Sequence, residues 1–418
     1  MGNPPQPLLS VAEAQERLLR RFEALEAEEI SLAEAAGRVL AEAIRSTTDL
    51  PPFPNSSMDG FAVRAEDTAQ ASAGQPVRLR VVGDAPAGGA AGIEVKAGQA
   101  VRIMTGAPIP EGADAVVPVE DTSFHERQAG SAAPDSVEIY RPVRAGDYVR
   151  PRGQDVSAGE VVIPAGERLT PQGLGLLSMI GQSRIPVHRR PRVAIFSSGD
   201  ELLPVEEPLT PGKIHDANSY ILIAAVEEAG GEAVHLGIVP DRADAVRAVL
   251  QSAAAQDVDL ILSSAGVSVG AFDFVRSVVE EAGELDFWRV NMRPGKPLAF
   301  GSYQGVPFIG LPGNPVSAFV GFEVFVRPAL LKMAGARIQK RSAQKVEVEE
   351  AIESDGRESY LRATARSENG RYMARLTGHQ GSGNLRSLVQ ANALLIVPAG
   401  VKHLDAGAEV DAWLIGNL

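Results

Sequence analysis

Apolar positions recur along this chain with a rhythm that changes several times, and each change predicts a different kind of element. Near the start, Leu18, Phe22 and Leu25 share one face at helical spacing, and Val39 and Leu40 follow further on. Each stretch is preceded by a Ser with a Glu three residues later, Ser10 with Glu13 and Ser31 with Glu34. In that pairing the hydroxyl and the carboxylate satisfy backbone amides left free in a first helical turn. Two short packed helices are therefore expected. From residue 51 to about 145 the helical period disappears, and Pro, Gly and short apolar runs such as Val77 to Val82 and Ala115 to Val119 predict a small β-rich unit. Residues from about 146 to 185 mix turn-rich strands with a helix around Leu174 to Ile180.

Between about 186 and 333 the pattern alternates. Apolar strands at Val193 to Phe196, Val234 to Val239 and Leu260 to Leu262 are separated by Ala-rich helical stretches near 218–229 and 242–255. Alternation of this kind predicts a parallel sheet with crossover helices. Ligands of such sheets bind beyond the carboxyl ends of the strands, which directs attention to the loops after Phe196 and Leu262. The last stretch returns to short alternating strands, Lys345 to Val348 and Ala393 to Val397, and predicts a small barrel or sandwich.

Composition narrows the functional classes. A length of 418 residues implies about three or four units, and 44% hydrophobic with 22% charged residues supplies enough apolar mass for real cores. The formal net charge of -13, from 53 acids against 40 bases, weighs against a nucleic-acid partner, although a local basic pocket is compatible with it. With no cysteine, the chain has no disulfide, thiolate metal site or cysteine nucleophile, so any metal must bind oxygen or imidazole. No apolar run reaches membrane-spanning length and no signal segment opens the chain, so a soluble, cytoplasmic protein is expected.

The loops carry the candidate chemistry. Ser197 to Glu201 follows a buried-type strand, and Glu201 there is either a solvated acid of a Gly-containing turn or an oxygen ligand suited to magnesium. The stretch Ser263 to Gly270, with Ser264, Gly266 and Ser268, is followed by Asp273 at the expected start of a helix; small residues in that place let backbone amides approach a phosphate. Arg293 and Lys296 flank Pro294 and Gly295 in a stiff turn that presents two cations to an anion. Leu311-Pro312-Gly313-Asn314-Pro315 is either a strand-to-helix connection or a loop whose amides contact a nucleotide. Asp59 ends a proline-rich run as a turn former or a catalytic carboxylate, while Thr105 and Asp155 offer a hydroxyl and a further acid.

Taken in order, the stretches PPFPNSSMDGFAV, RIMTGAPIPEGADAVVPVED, FSSGDEL, KIHDANSY, AGVSVGAFDF, MRPGKPLAFG and GLPGNPVSAF resemble the molybdopterin molybdenumtransferase family, to which the carboxyl-terminal part of gephyrin is similar, and the resemblance spans nearly the whole chain. It implies a multidomain α/β plus β fold: a linker and dimerisation domain from 1–50 and 146–185, an inserted β-rich domain at 51–145, a molybdopterin-binding three-layer α/β domain with a parallel-rich sheet at 186–333, and a C-terminal β-barrel at 334–418. It also implies an elongated homodimer that inserts molybdate into the dithiolene of adenylylated molybdopterin, with magnesium and with release of AMP. The resemblance assigns catalytic positions to Asp59, Asp155, Asp241, Asp273 and Lys296, and metal ligation to Glu201 and Asp155. Substrate and nucleotide contacts fall to Thr105, Ser264, Gly266, Ser268, Arg293, Pro312, Arg362 and Ser382. Its further implied partners are the molybdopterin adenylyltransferase and molybdoenzyme chaperones.

Two positions depart from the family pattern: Ala265 stands where many relatives have Gly, and Arg293 where some have Lys. The first adds a methyl at the phosphate loop and the second keeps charge with altered donor geometry, and neither removes a carboxylate. Gephyrin shows that the same fold serves as a scaffold, but the five acids Asp59, Asp155, Glu201, Asp241 and Asp273 are all present, which favours catalysis. Tungstate, similar in size and charge to molybdate, is an alternative oxyanion.

Overall fold

The structure, a computed structural model, describes residues 8–89, 92–125, 132–264 and 274–416, without the side chain of Trp288. Ala265, Gly266, Ser268 and Asp273 lie outside the described residues. The chain forms two compact units, one of Met1–Glu42, Ala165–Leu174 and Arg184–Leu418, the other of Ala43–Pro164 and Gly175–Ser183. No helix among the described residues is long and apolar enough to cross a membrane.

The larger unit opens with helix α1 (Val11–Leu19), which buries Val11, Ala14 and Leu18. Its capping box forms as expected, the Glu13 amide donating to Ser10 Oγ at 3.2 Å and the Ser10 amide to the Glu13 carboxylate at 2.9 Å. The second expected helix does not extend: the Ser31 and Glu34 box is present, but only one 3-10 turn, Leu32–Glu34, follows it. Strand pairing overrides the local signal here. Ala27–Ser31 pairs antiparallel with Arg184–His188, Gly37 turns the chain at a φ of 71°, and Val39 and Leu40 are buried in bridges to Arg168 and Val187.

The smaller unit holds a five-stranded sheet of β1 (Gly60–Val63), β2 (Val77–Ala85), β3 (Gln99–Ile103), β4 (Ala115–Pro118) and β5 (Ser136–Ile139), in the order β4-β1-β3-β2-β5. Period-two alternation sorts side chains to its faces: Phe61, Val63 and Val117 enter one core cluster, Ala62, Val101 and Val116 the other. Gly60 is required by this closeness, since a Cβ there would stand 2.0 Å from the Val117 carbonyl oxygen.

In the larger unit, β6 (Arg192–Ser198), α2 (Asn218–Glu228), β7 (Glu232–Val239), α3 (Ala243–Ala254), β8 (Leu260–Ser264), α4 (Phe274–Ala282), β9 (Gly283–Arg289), β10 (Pro297–Tyr303), β11 (Val306–Leu311) and α5 (Pro315–Gly321) build a six-stranded sheet ordered β7-β6-β8-β11-β10-β9. Its centre is parallel, as the alternation predicts, but β10 and β9 run antiparallel at one edge. The reason is local: Gln304 and Gly305, at φ 49° and 86°, make a two-residue turn that pairs Tyr303 with Val306 and leaves no room for a crossover helix. Val193, Ile195 and Leu262 pack with Leu222 and Val226 of α2 on one face, while Ala194, Phe196 and Ile261 pack with Val246 of α3 and Val275 of α4 on the other. The sheet is thus the middle of three layers.

The C-terminal strands β12 (Ala343–Val348), β13 (Glu358–Glu368), β14 (Arg371–Leu376), β15 (Ala393–Val397) and β16 (Glu409–Leu414) settle the choice between barrel and sandwich. Neighbours run β13-β14-β12-β16-β15, and β15 pairs again with β13, which closes the ring.

Between α5 and the helix Arg327–Met333, the turn Phe322–Val326 is π-helical and buries Glu323 at 2% exposure. Two guanidinium groups hold that carboxylate, Arg327 Nε at 2.9 Å and Arg341 Nε at 2.6 Å. Removing one partner of a buried pair strands the other's charge, so Glu323→Gln is expected to cost roughly 3–5 kcal/mol in urea unfolding. A loss below about 1 kcal/mol, the worth of an exposed pair, would show that solvent already compensates these arginines.

Candidate functional site

The carboxyl ends of β6, β7, β8 and β11 carry Glu201, Asp241, Ser264 and Pro312 in the loops or final residues that follow them. Parallel strand order therefore gathers at one end of the sheet residues far apart in sequence. A buried polar network stabilises this end. Asp216, 6% exposed, accepts hydrogen bonds from Ser197 Oγ at 3.1 Å, the Asn218 and Ser219 amides at 3.0 and 3.1 Å, and Ser219 Oγ at 2.5 Å. Asn218 then donates from Nδ2 to Ser264 Oγ at 2.6 Å and to the Gly313 carbonyl at 2.7 Å, tying the end of β8 to the loop after β11. Both residues lie within the stretch KIHDANSY without a local sign of this role, because nothing in neighbouring positions marks an Asn that bridges two distant loops. Three buried polar atoms at this end of the sheet, Asn218 Oδ1, Ser198 Oγ and Ser263 Oγ, have no hydrogen-bond partner among the described residues.

Cations collect nearby. Arg362 of β13 is 1% exposed, and its guanidinium donates to Ser387 Oγ at 3.1 Å and to the carbonyls of His379 and Gly381 at 3.1 and 3.2 Å. No carboxylate pairs with it among the described residues. Burial, and then the charge of Arg293, push its pKa below the ordinary arginine value. Arg293 itself is only loosely held, 3.9 Å from Asp355, a carboxylate that also takes Arg357. Lys296, exposed at the end of the same turn, makes no ion pair or side-chain hydrogen bond among the described residues. Ser382 Oγ accepts from Asn314 Nδ2 at 2.9 Å, and the Ser382 carbonyl accepts from the Val316 amide at 3.1 Å, so the Pro312 loop and the loop beside Arg362 are joined. Arg293, Arg362, Pro312 and Ser382, separated by up to 89 positions in the chain, thus form one neighbourhood.

The acids lie around the ends of β6 and β7. The Asp241 amide donates to Asp200 Oδ1 at 3.1 Å and the Asp200 amide to Asp241 Oδ2 at 3.4 Å, so each carboxylate closes the other's loop. Burial, and then the charges of Asp200 and Glu201, hold the Asp241 carboxyl above its usual range. Among the described residues no group of three or more His, Cys, Asp or Glu side chains stands ready to hold a metal, but the oxygen-only donors and their crowding match the chemistry of a hard divalent cation. In the smaller unit, Asp59 Oδ1 accepts from both the amide and the hydroxyl of Thr105 at 2.9 Å, and Asp155 pairs with Arg150 at 2.8 Å. Asp59 thereby acts as a loop clasp in addition to any chemistry. Asp155 and Glu201 belong to different units.

Comparison with known proteins covers nearly all of this architecture. Residues 9–181 match the family described as MoeA N-terminal region (domain I and II), residues 194–332 the probable molybdopterin binding domain, and residues 345–415 the MoeA C-terminal region (domain IV). The chain is 37% identical over 388 residues to a molybdopterin molybdenumtransferase of Nostoc sp., covering 91% of this chain and 87% of that one. It is 38% identical over 411 residues to molybdopterin molybdenumtransferase 2 of Mycobacterium tuberculosis, covering 97% and 99%. The chain belongs to the molybdopterin molybdenumtransferase family. Its structure is similar to that of the molybdopterin biosynthesis moeA protein from Pyrococcus horikoshii, with a TM-score of 0.82 at 34% identity, covering 98% of this chain and all of that one. The resemblance read from short stretches therefore extends over the length of the chain.

For this family member the acid cluster sets a pH dependence with a definite sign. Asp241 binds its proton more tightly folded than unfolded, so its ionisation costs stability as pH rises past the ordinary carboxylate range. Asp241→Asn should therefore raise the thermal unfolding midpoint at neutral pH, and that gain should shrink as acid protonates the wild-type carboxyl. An equal midpoint for the two proteins throughout the pH range would rule out strain at this cluster.

Proposed function

We propose that this protein, whose relatives are named molybdopterin molybdenumtransferases, inserts molybdate into adenylylated molybdopterin and releases AMP. The observation that carries the reading is Arg362, a buried guanidinium without a carboxylate partner among the described residues and repelled by Arg293. A buried cation left uncompensated is stable only beside dipoles or an incoming anion, and an oxyanion satisfies that need with charge-assisted hydrogen bonds. Arg362, Arg293, Lys296 and Ser382 are accordingly the molybdate or phosphate contacts of this proposal. Ser264, Gly266, Ser268, Pro312 and Thr105 are its substrate and nucleotide contacts, and Asp59, Asp155, Asp241 and Asp273 are its functional acids. Asn218 fixes the distance between two of the loops through its bonds to Ser264 and Gly313.

Magnesium belongs to this proposal, with Glu201 in the larger unit and Asp155 in the smaller each a candidate ligand. When bound, the cation would offset charge on the phosphates as the phosphoanhydride is cleaved. The chain's own groups hold the oxyanion and orient the nucleotide. The reading extends to a cytoplasmic homodimer that receives its substrate from the molybdopterin adenylyltransferase and delivers its product to molybdoenzyme chaperones. The four-part division at 1–50 with 146–185, 51–145, 186–333 and 334–418 remains part of it.

The test is AMP release from adenylylated molybdopterin with magnesium, with and without molybdate. Molybdate-dependent release is expected, and Lys296→Ala should slow it about tenfold to a hundredfold, the worth of one hydrogen bond to a charged group at roughly 1.5–3 kcal/mol. Binding of the pterin nucleotide without cleavage under any oxyanion would overturn the transferase and leave a scaffold. Unchanged turnover in Lys296→Ala would remove that residue from the site.

A further inference from the structure

A second basic feature lies in the larger unit at the other end of the sheet. A cavity of about 270 Å³ opens beside Gly37, Arg38, Arg168 and the segment His188 to Arg190, which leads into the first residue of β6. The residues of the site described above follow the carboxyl ends of the strands, so the length of β6, seven residues or roughly 20 Å at ~3.3 Å each, stands between the two.

Charge accounting separates the cations around this cavity into two classes. Arg38 pairs with Glu28 at 2.5 Å, and Arg189 makes a bidentate pair with Asp259, both bonds at 2.6 Å. Glu167, the one acid in the lining, is taken by Arg337. Arg168 and Arg190 are different. Arg168 donates only to backbone carbonyls, Gly37 at 3.0 Å and Glu228 at 3.4 Å, and Arg190 makes no side-chain hydrogen bond or ion pair among the described residues. Capping the carboxyl end of α2 accounts for one bond of Arg168. Both side chains are exposed, so the remaining donors of Arg168, and those of Arg190, face solvent and stand open to a ligand. The backbone keeps the space around Arg168 open, since Gly37 and Gly230, at φ 71° and 95°, bring no side chain against its guanidinium.

Apart from His188, whose Nδ1 meets the Leu25 carbonyl at 2.6 Å, the rest of the lining is apolar or glycine, with Val39, Leu331, Ala334, Ala336 and Ile338, the last 66% exposed. An inorganic anion would leave this surface in water, and a neutral apolar molecule would leave two guanidinium groups unanswered. We infer that the cavity is a binding site for a small organic anion, with a carboxylate or phosphate-monoester head toward Arg168 and Arg190 and a compact apolar body on the Val39 and Leu331 side. The volume suits a body about the size of one aromatic ring.

Calorimetric titration of the full chain with benzoate, phenyl phosphate, benzamide and inorganic phosphate tests this. At least one of the two aromatic anions should bind with unit stoichiometry, and benzamide and inorganic phosphate should bind about tenfold more weakly or not at all. Arg190→Gln, which removes no side-chain hydrogen bond or ion pair among the described residues, should weaken that binding about tenfold, the share of one charge-assisted contact. Arg168→Gln should do the same, with its unfolding midpoint measured alongside because it also loses two backbone contacts. The inference is overturned if neither anion binds, if benzamide binds as tightly as benzoate, or if Arg190→Gln leaves the affinity of the bound anion unchanged, which would place that anion elsewhere.

Discussion

Burial of the central sheet on both faces is the constraint from which the rest of the larger unit follows. In β6 every residue after Arg192 is buried, with alternate side chains taken by helices on opposite sides. No polar group on such a strand meets a ligand along its length, and chemistry emerges only where the strands end. The polar residues of the strands obey this: Ser197, Ser198, Ser263 and Ser264 all lie at the carboxyl ends of β6 and β8. Asp216 and Asn218 bring that end together by hydrogen bonds rather than apolar contact, since loops from three strands meet there.

Two buried guanidinium groups of the same unit show how differently a charge can be used. Arg327 meets Glu323 and Glu228 and forms part of a closed ion-pair network that holds helical turns together. Arg362, as deeply buried, has only a hydroxyl and carbonyls, and its neighbour Arg293 adds repulsion. The first arrangement is complete in itself. The second leaves its charge without a carboxylate among the described residues, and it sits beside loops joined by the Asn314 to Ser382 bond. A net charge of -13 is therefore no guide to the local potential: acids crowd at Asp200, Glu201 and Asp241, while cations concentrate around Arg362 and, at the opposite end of the sheet, around Arg168 and Arg190.

The sequence by itself determined what depends on short range. Capping marked the start of α1, which ends at Leu19 and leaves Phe22 and Leu25 outside the helix, and period marked the strands from Arg192 to Ser264 and their crossover helices to within a few residues, because burial on a repeating face and satisfaction of end amides are written in neighbouring positions. The short stretches around Asp59, Glu201, Arg293 and Pro312 also identified the family, since loops that must adopt one backbone shape keep a recognisable local composition. Tertiary structure alone decided the rest. Pairing of Ala27–Ser31 with Arg184–His188 cut the second helix to a single turn despite its intact capping box, and the return of β15 to β13 made a barrel of strands that would equally have made a sandwich. It also decided which cations have no carboxylate partner among the described residues, because Arg362, Arg168 and Arg190 look no different in sequence from the arginines that are paired. Whether a charge is compensated depends on groups brought near it from distant parts of the chain, and that is a property of the packing.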